Sequence, residues 1–338
     1  MKFKSLNLRE KVRLIIETKD FFENSLKEKL NLQKIPAPLF VSKDSGIQDN
    51  LNGVEKPVEF EISSIKGKRF QIVHSLAKWK RLALKKLDLA PGEGILTNML
   101  ALRPEENIYD TGYHSVFVDQ WDWEKVIREE DRNLSFLKET VKKIYEVLKD
   151  SEKRFSKILN YSLSLPDKIT FIHSEELFSK YPMLSPKERE REITKKHGAV
   201  FIIGIGYPLP DGKSHDGRAP DYDDWITETE KGYRGLNGDI IVWNSVLNDS
   251  FEISSMGIRV DKKALIEQLK IQGHEERLSL MWHKMLVENK LPLSIGGGIG
   301  QSRVSMFLLR AKHIGEVQPS EWPEKIIEIY EKRESVFL

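Results

Sequence analysis

The sequence predicts an α+β fold in which helices flank a mainly antiparallel β-sheet. Three apolar runs are short enough to be buried strands: AVFIIGIG at 199–206, GDIIVWN at 238–244 and FEISSMGIRV at 251–260. Long insertions separate the strands and regular βαβ units are few, which favours an antiparallel arrangement. No internal repeat or low-complexity linker divides the chain. We therefore expect residues 1–338 to form one domain.

The N-terminal half of the chain carries local signals for two long helices. Apolar residues, Ile16 among them, recur every three or four positions at 8–30, which predicts a helix packed on the main body. Two strands are expected between residues 56 and 75, joined by a turn at Gly67. A short helix at 76–84 follows, and the periodicity at 141–159 predicts the second long helix.

The C-terminal half alternates strand and helix signals. The segment KITFIHS at 168–174 predicts a strand, and Ser185 begins the capping box SPKE at the start of a helix. Asp261 is expected to cap another helix, and a further helix is expected at 275–289. The segment IGGGIGQSRVSMFLL, at 295–309, indicates a glycine turn that leads into a final apolar helix.

Composition excludes several functional classes. Lys and Arg total 54 against 52 Asp and Glu, so the net charge of +2 gives no reason to expect a nucleic-acid partner. The absence of cysteine excludes disulfides, thiolate metal sites and thiol nucleophiles. No apolar stretch approaches the length of a membrane span, and the charged N-terminus does not resemble a signal peptide. We expect a cytoplasmic protein with no membrane partner.

The most specific local motif is GGGIGQSR at 296–303. Glycines let the backbone approach a flat ligand, and Arg303 would lie where a helix N-terminus meets a phosphate. The motif contains neither a Walker sequence nor GxGxxG, which argues against P-loop and Rossmann folds. The alternative is a tight strand-to-helix turn without a ligand.

Four motifs in order resemble those of class II aminoacyl-tRNA synthetases. The glycine motif has the form GxGxGxxR of the third class II signature. The other three are RPEE at 103–106 with the returning segment HSVFVDQWDWE at 114–124, HSLAKWKR at 74–81, and the acidic segments from Gly238 through Glu252 to Arg259. The resemblance implies a class II catalytic-domain fold.

Within that superfamily the chain is most similar to the aspartate–ammonia ligase family. The strings that carry this resemblance are QDNL at 48–51, HSLAKWKR, VDQWDWE, RAPDYDDW, LNGDIIVWN, SSMGIRVD and IGGGIGQSR. About 35 residues precede the first expected strand, which is too short for a five-stranded OB-fold. We therefore expect a catalytic domain without an anticodon-binding domain.

The resemblance implies that ATP activates aspartate as an acyl-adenylate and that ammonia displaces AMP to give asparagine. Arg103 and Arg303 would neutralise the α-phosphate, and Asp239 and Glu252 would hold Mg²⁺ between the phosphates. Further nucleotide contacts are expected from one histidine and two glycines, namely His114, Gly298 and Gly300.

A dicarboxylic amino acid requires a pocket of both charges. Lys80 is expected to bind a carboxylate. The other expected contacts are Ser75, Gln120, Asp122, Asp223 and Arg259. For the acids of PDYDDW, Asp221, Asp223 and Asp224, the alternatives are a solvated loop or a second metal site. His74, in the matched segment, is expected to be a hydrogen-bonded structural histidine.

Asp49, in the loop SGIQDN, is expected to capture ammonium and remove its proton. The alternative is an Asx-turn in a mobile loop. Because a glutamine-hydrolysing thiol is absent, free ammonia is the expected nitrogen source. The family resemblance also implies a homodimer formed through the first third of the chain. Two other functions stay open at this point: a non-catalytic binding relative, and an aminoacyl-tRNA ligase.

Overall fold

The computed structural model describes residues 6–49, 51, 55–109, 111–333 and 335–338. Its strands form one large and one small β-sheet. In chain order the strands are β1 (Leu32–Lys34), β2 (Phe40–Ser42), β3 (Glu59–Glu61), β4 (Arg69–Ile72), β5 (Gly94–Leu102), β6 (Phe117–Val126), β7 (Thr170–His173), β8 (Ala199–Ile203), β9 (Asn237–Asn244), β10 (Asp249–Ile258) and β11 (Ser294–Gly300).

The large sheet has the strand order β1-β5-β6-β11-β10-β9-β8-β7. Its inner neighbours, from β5 to β8, pair antiparallel, whereas β1 pairs parallel to β5 and β7 pairs parallel to β8. The α+β class is therefore right, but the expectation of a mainly antiparallel sheet is corrected to a mixed sheet. Each parallel edge strand is joined to its neighbour by a long connection rather than a hairpin.

Helices cover the sheet and connect its strands. In chain order they are α1 (Leu8–Leu30), α2 (Ala77–Lys86), α3 (Leu134–Leu159), α4 (Ser174–Lys180), α5 (Pro186–His197), α6 (Lys262–Gln272), α7 (Met281–Val287), α8 (Gln301–Leu308) and α9 (Glu324–Glu331). In the part of the chain that the structure describes, no helix combines the length and the apolar character that crossing a membrane requires.

Helix α1 confirms the predicted helix at 8–30. Asn7 and Glu10 form a capping box at its start, each accepting a hydrogen bond from the backbone of the other. Phe22 is fully buried and stacks on Trp121 of β6, with ring centroids 4.7 Å apart. Ile16, which the apolar repeat placed with the core residues, is instead 56% exposed. One face of α1 thus packs on the sheet while another carries exposed apolar residues.

Two helices begin at the capping residues that the sequence predicts. Ser185 and Glu188 form the capping box of α5, and Asp261 accepts a hydrogen bond that caps α6. The turn at Gly67, with φ +75°, joins β3 to β4 in the small sheet, whose order is β2-β4-β3. The single helix expected at 275–289 is interrupted, because Leu280 is extended between a 3₁₀ turn and α7.

The glycine segment is a strand and not a turn. Residues Ser294–Gly300 form β11, which pairs with β6 on one side and β10 on the other. A Cβ atom on Gly297 would lie 2.6 Å from the Cβ of Met256 in β10, so glycine permits the close approach of these strands. The chain turns into α8 only after Gly300. Helix α8 is also not the final helix, since α9 follows it.

Candidate active site

A cavity of about 500 Å³ lies over the central strands and gathers almost all of the predicted site residues. The predicted residues that line it are Asp49, Ser75, Lys80, Arg103, His114, Gln120, Asp122, Asp223, Glu252, Arg259, Gly298, Gly300 and Arg303. They come from loops, from α2 and α8, and from β6, β10 and β11. The sheet therefore unites side chains that are far apart in the sequence.

Two arginines from distant segments face this one cavity. Arg103 follows β5, and its Nη2 donates to the backbone oxygen of His74 at 3.0 Å. Arg303 lies in the first turn of α8, and its Nη1 lies 3.2 Å from the backbone oxygen and 3.6 Å from Oε1 of Glu252. Its guanidinium also lies over the ring of Tyr113, 5.4 Å from the centroid. Together they can neutralise one polyanionic ligand.

The predicted metal-binding acids are close, but only Glu252 lines the cavity. Asp239 of β9 is buried behind Arg218, whose Nη2 donates to its Oδ1 at 2.7 Å. The pKa of Asp239 is raised to about 6, because burial and the charge of Glu252 together outweigh the opposing charge of Arg218. Glu252 itself has a lowered pKa, since Arg303 and Lys187 outweigh its burial.

This acid pair has the donor chemistry of a hard divalent cation. A cation between Asp239 and Glu252 would relieve their repulsion, and Mg²⁺ often takes only one or two protein carboxylates. Over the described residues, no group of three or more His, Asp or Glu side chains is arranged to hold a metal. Two carboxylates are donors that Mg²⁺ accepts when phosphate oxygens and water complete its coordination.

Lys80 is buried at the base of the cavity and already has partners. Its Nζ lies 3.1 Å from Oδ2 of Asp122 and 3.8 Å from Oε2 of Glu124, and it donates to the backbone oxygen of Gly297 at 2.9 Å. Burial lowers the pKa of Lys80, although the two acids oppose that effect. A substrate carboxylate would therefore have to compete with, or add to, an existing ion pair.

Arg259 lies between two acids. Its Nη2 donates to Oε2 of Glu124 at 2.8 Å, and its Nη1 donates to Asp223. Ser294 also donates to Glu124 at 2.7 Å. Burial would lower the pKa of Arg259, but Glu124 and Asp223 raise it above its ordinary value. Glu124, which the sequence analysis did not select, thus fixes two cations of the site from behind.

The three acids of PDYDDW are buried, and each has its own cation. Asp221 accepts from Lys78 at 2.8 Å, Asp223 pairs with Arg259, and Asp224 accepts from Arg132 at 2.8 Å. Of the three, only Asp223 lines the cavity. The alternative of a solvated loop is wrong, because the three carboxylates are buried and each is paired with a cation.

Asp49 lies at the cavity wall and is 2% exposed. Its Oδ2 accepts a hydrogen bond from Ser75 at 2.5 Å, and its Oδ1 accepts from the backbone nitrogen of Leu51 at 2.8 Å. The second contact is the Asx-type bond that the alternative required, so the two interpretations coexist. Asn50, in the same matched string, lies outside the described residues.

Of the two histidines in the matched segments, His74 differs from expectation in its contacts and His114 lines the cavity. His74 is fully buried, but neither ring nitrogen has a hydrogen-bond partner among the residues that the structure describes. His114 Nδ1 lies 3.4 Å from Oε1 of Glu106. Burial and then the charge of Arg303 lower the pKa of His114 to about 4, so its imidazole is neutral at pH 7. His114 can therefore contact a phosphate only as a neutral donor.

Three further residues of the cavity were missed. Arg218 opens the string RAPDYDDW, where attention went to the acids. Asp119 accepts hydrogen bonds from the backbone nitrogen and hydroxyl of Ser302, and so holds the start of α8. Lys187 lies in the first turn of α5, where the capping signal gave a sufficient structural explanation. The matched strings could have revealed Arg218, in RAPDYDDW, and Asp119, in VDQWDWE, but not Lys187.

Comparisons with known proteins agree with this geometry. Two similar solved structures are asparaginyl-tRNA synthetases with bound asparaginyl-adenylate. The enzyme from Entamoeba histolytica has a TM-score of 0.64 and 13% identity, covering 91% of this chain and 67% of that one. The enzyme from Pyrococcus horikoshii has a TM-score of 0.65 and 16% identity, covering 91% and 68%. An aspartyl-tRNA synthetase from Entamoeba histolytica has a TM-score of 0.60 and 13% identity, covering 90% and 57%.

At these identities the likeness shows the fold, which is that of the class II aminoacyl-tRNA synthetases. The family comparison is more specific, because the model described as aspartate-ammonia ligase matches residues 9–334, nearly the whole chain. The chain therefore belongs to the aspartate-ammonia ligase family, whose members use ATP to join ammonia to aspartate and form asparagine.

Proposed function

We propose that this chain makes L-asparagine from L-aspartate, ammonia and ATP through a β-aspartyl-adenylate, releasing AMP and pyrophosphate. The observation that carries the proposal is that Arg103 and Arg303 line one cavity together with Lys80, Asp223 and Arg259. ATP as the activating substrate is supported by the asparaginyl-adenylate bound in two proteins of the same fold.

Adenylation needs negative charge to be stabilised at the α-phosphate. An oxygen of the aspartate β-carboxylate attacks the α-phosphorus, and the bond to the β-phosphate oxygen breaks as pyrophosphate leaves. Arg103 donates to the backbone oxygen of His74, next to Ser75, and lines the same cavity as Arg303. That position suits a contact to the phosphate that joins the two substrates.

We assign Mg²⁺ to Asp239 and Glu252. Asp239 would bind the ion once Arg218 shares this carboxylate with it or gives up its hydrogen bond to it. When bound there, the ion would supply positive charge to the departing phosphates. Arg218 would then be free to turn toward the cavity that it also lines. The support for this assignment is that the two acids lie on the paired strands β9 and β10 and that the charge of Glu252 raises the pKa of Asp239.

The amino-acid substrate is assigned to the ion-paired end of the cavity. Its ammonium group would meet Asp122 or Asp223, and its carboxylates would meet Lys80 or Arg259, with Gln120 and Ser75 as polar contacts. The charged ends of Lys80 and Arg259 are held by the backbone oxygen of Gly297 and by Glu124, so the pocket is ordered before binding. An ordered pocket fixes which carboxylate reaches the phosphate.

Ammonia would enter as ammonium, the main form at neutral pH, and must lose a proton before it attacks. Asp49 is assigned this role because its carboxylate is buried at the cavity wall and next to Ser75. The nitrogen lone pair then attacks the β-carbonyl carbon, and the bond to the AMP oxygen breaks. Enclosure of Asp49 would also exclude water, which otherwise hydrolyses the adenylate.

We further propose a homodimer. Leu8, Val12 and Ile16 recur at four-residue spacing on α1 and are between 39% and 56% exposed. Such a row of apolar side chains suits a contact between two copies of the chain. A cytoplasmic location stays a prediction.

Identification of the nucleotide product tests the function. Purified protein with aspartate, ammonium, Mg²⁺ and ATP labelled on the α-phosphate should yield labelled AMP and asparagine in equal amounts. Aspartate without ammonium should support exchange of pyrophosphate into ATP. Formation of ADP and orthophosphate would contradict the adenylate route. Charging of tRNA with aspartate, in place of reaction with ammonium, would instead favour the synthetase function suggested by the shared fold.

A further inference from the structure

Lys187 is a cation of the cavity to which the reaction described above assigns no role. It lies in the first turn of α5 and lines the cavity, and its side chain is 66% exposed. Its Nζ lies 3.0 Å from Oε2 of Glu190 and 3.9 Å from Oδ2 of Asp216, both of which also line the cavity. An exposed lysine with a flexible stem can leave such partners for a ligand.

Glu190 is held in place from behind. His215 is buried, and its Nε2 lies 3.2 Å from Oε1 of Glu190, whose side chain is only 6% exposed. Helix α5 carries Lys187 and Glu190 one turn apart, so the pair is presented on the same face. The lysine is thus kept beside the cavity by a fixed carboxylate, while its own side chain remains accessible.

The charge of Lys187 acts at the arginine end of the cavity. It adds to the burial and the charge of Arg303 that lower the pKa of His114, and with Arg303 it opposes the rise that burial causes in the pKa of Tyr113. It also lowers the pKa of Glu252, again after Arg303. The pKa of Lys187 is raised by Glu190 and Glu252 despite its partial burial, so the side chain carries a full charge at neutral pH. Arg303, Glu252 and Lys187 all line the same cavity.

We propose that Lys187 contacts the β- and γ-phosphates of ATP and holds the pyrophosphate before its release. This inference rests on the proposed function, which places the α-phosphate between Arg103 and Arg303. The remaining two phosphates are also anionic, and Lys187 is a cation of the same cavity that the assigned contacts to the amino acid leave unused. Lys187 exchanges Glu190 for phosphate oxygens on binding and returns to Glu190 when pyrophosphate leaves.

The test is steady-state kinetics of Lys187→Met, with Lys196→Met as the matched control. Lys196 lies on the same helix near its other end and is exposed, so its loss changes the net charge equally. Lys187→Met is expected to raise KM for ATP and the inhibition constant of pyrophosphate by about tenfold each. KM for aspartate should stay within about twofold of wild type, and Lys187→Arg should recover most of the loss.

Equal pyrophosphate inhibition of wild type and Lys187→Met would overturn the proposal, as would an equal rise in both substrate KM values. Should Lys187→Met fail to fold, Lys187→Gln provides the same loss of charge with a polar side chain. Failure of the proposed function is distinguishable, because wild type would then form no AMP. In that case calorimetry of Mg²⁺-pyrophosphate binding still tests the role of Lys187. Wild type should bind Mg²⁺-pyrophosphate about tenfold more tightly than Lys187→Met does, and equal affinities would overturn the proposal.

Discussion

Two arginine side chains are central to the proposed reaction. Arg103 and Arg303 are the cations that the cavity offers to an α-phosphate, and each is oriented by a backbone oxygen. We expect Arg103→Ala and Arg303→Ala each to lose roughly 2–4 kcal/mol of transition-state stabilisation, as for other preorganised donors. Aspartate-dependent pyrophosphate exchange measures this loss.

Arg128→Ala is the control for the arginine variants, because the side chain of Arg128 is 63% exposed. Its exchange rate should equal that of wild type. Lysine at position 103 should restore only part of the rate, since an ammonium group cannot reproduce the fork of two parallel hydrogen bonds. Near-normal exchange in both alanine variants would remove the phosphate assignment.

Asp49 separates the two half-reactions. Asp49→Asn keeps an acceptor oxygen for the Leu51 nitrogen and turns an NH2 donor toward the Ser75 hydroxyl, which can accept, but it cannot take a proton. We expect pyrophosphate exchange to continue at close to the wild-type rate while asparagine formation falls by at least about a hundredfold, as for a lost general base. Asp44→Asn, at an exposed position of the preceding turn, is the control. Unchanged asparagine formation would reduce Asp49 to its structural hydrogen bonds.

Residue identities were predictable to a large extent, whereas their partners were not. The matched strings identified the side chains that line the cavity, but Lys80 has an ion pair with Asp122 that no spacing could reveal. Asp239 and Glu252 lie on the paired strands β9 and β10, but Asp239 is bound by Arg218 and does not line the cavity. Such pairings depend on three-dimensional distances between segments that are remote in sequence.

At the scale of elements, β11 forms the base of the site with almost no side chains. A Cβ atom on Gly298 would lie 2.8 Å from Oδ1 of Asp122, and one on Gly296 would lie 2.7 Å from Nη2 of Arg259. The two glycines therefore leave space for different groups: Gly298 for a cavity-lining acid, Gly296 for the buried Glu124–Arg259 pair.

This difference predicts different consequences of the same substitution. Gly296→Ala should lower the free energy of unfolding by about 1–3 kcal/mol, because it overpacks a buried ion pair. Gly298→Ala should instead raise KM for aspartate, with a smaller loss of stability, because Asp122 can shift toward the cavity. Urea unfolding and aspartate titration distinguish the two. Identical effects of the two variants would contradict the assignment.

Capped helices were the most predictable elements, since their signals are local. The capping box of α5 and the Asp261 cap of α6 are examples. The glycine strand was not recognised, because a segment without side chains has no alternating pattern to read. The turn that was expected there lies only at Gly300, where the strand passes into α8.

At the scale of the whole molecule, the exposed row of α1 predicts assembly. Ile16→Glu should raise the dimer dissociation constant by at least about thirtyfold, because it places a charge in an apolar contact. Met183→Glu is the control, since Met183 is an exposed apolar residue far along the chain. Light scattering over a concentration series measures the effect. A monomeric wild type, or an unaltered Ile16→Glu dimer, would contradict it.

The two edge strands, β1 and β7, run parallel to their neighbours, whereas the sequence predicted a mainly antiparallel sheet. The apolar runs identify buried strands, but they do not encode whether a neighbour runs parallel. The pairing of β1 with β5 and of β7 with β8 is set by the long connections between them. Antiparallel pairing was correctly expected for the inner strands, which carry the site.

The ion pairs within the cavity affect which ligands can bind there. Because Lys80, Arg218, Arg259 and Lys187 already have acidic neighbours, a ligand of a single charge gains little by entering and displaces a good partner. Only a molecule that presents both signs, or several phosphates at once, can replace many contacts together. Internal competition of this kind would discriminate against small anions and cations.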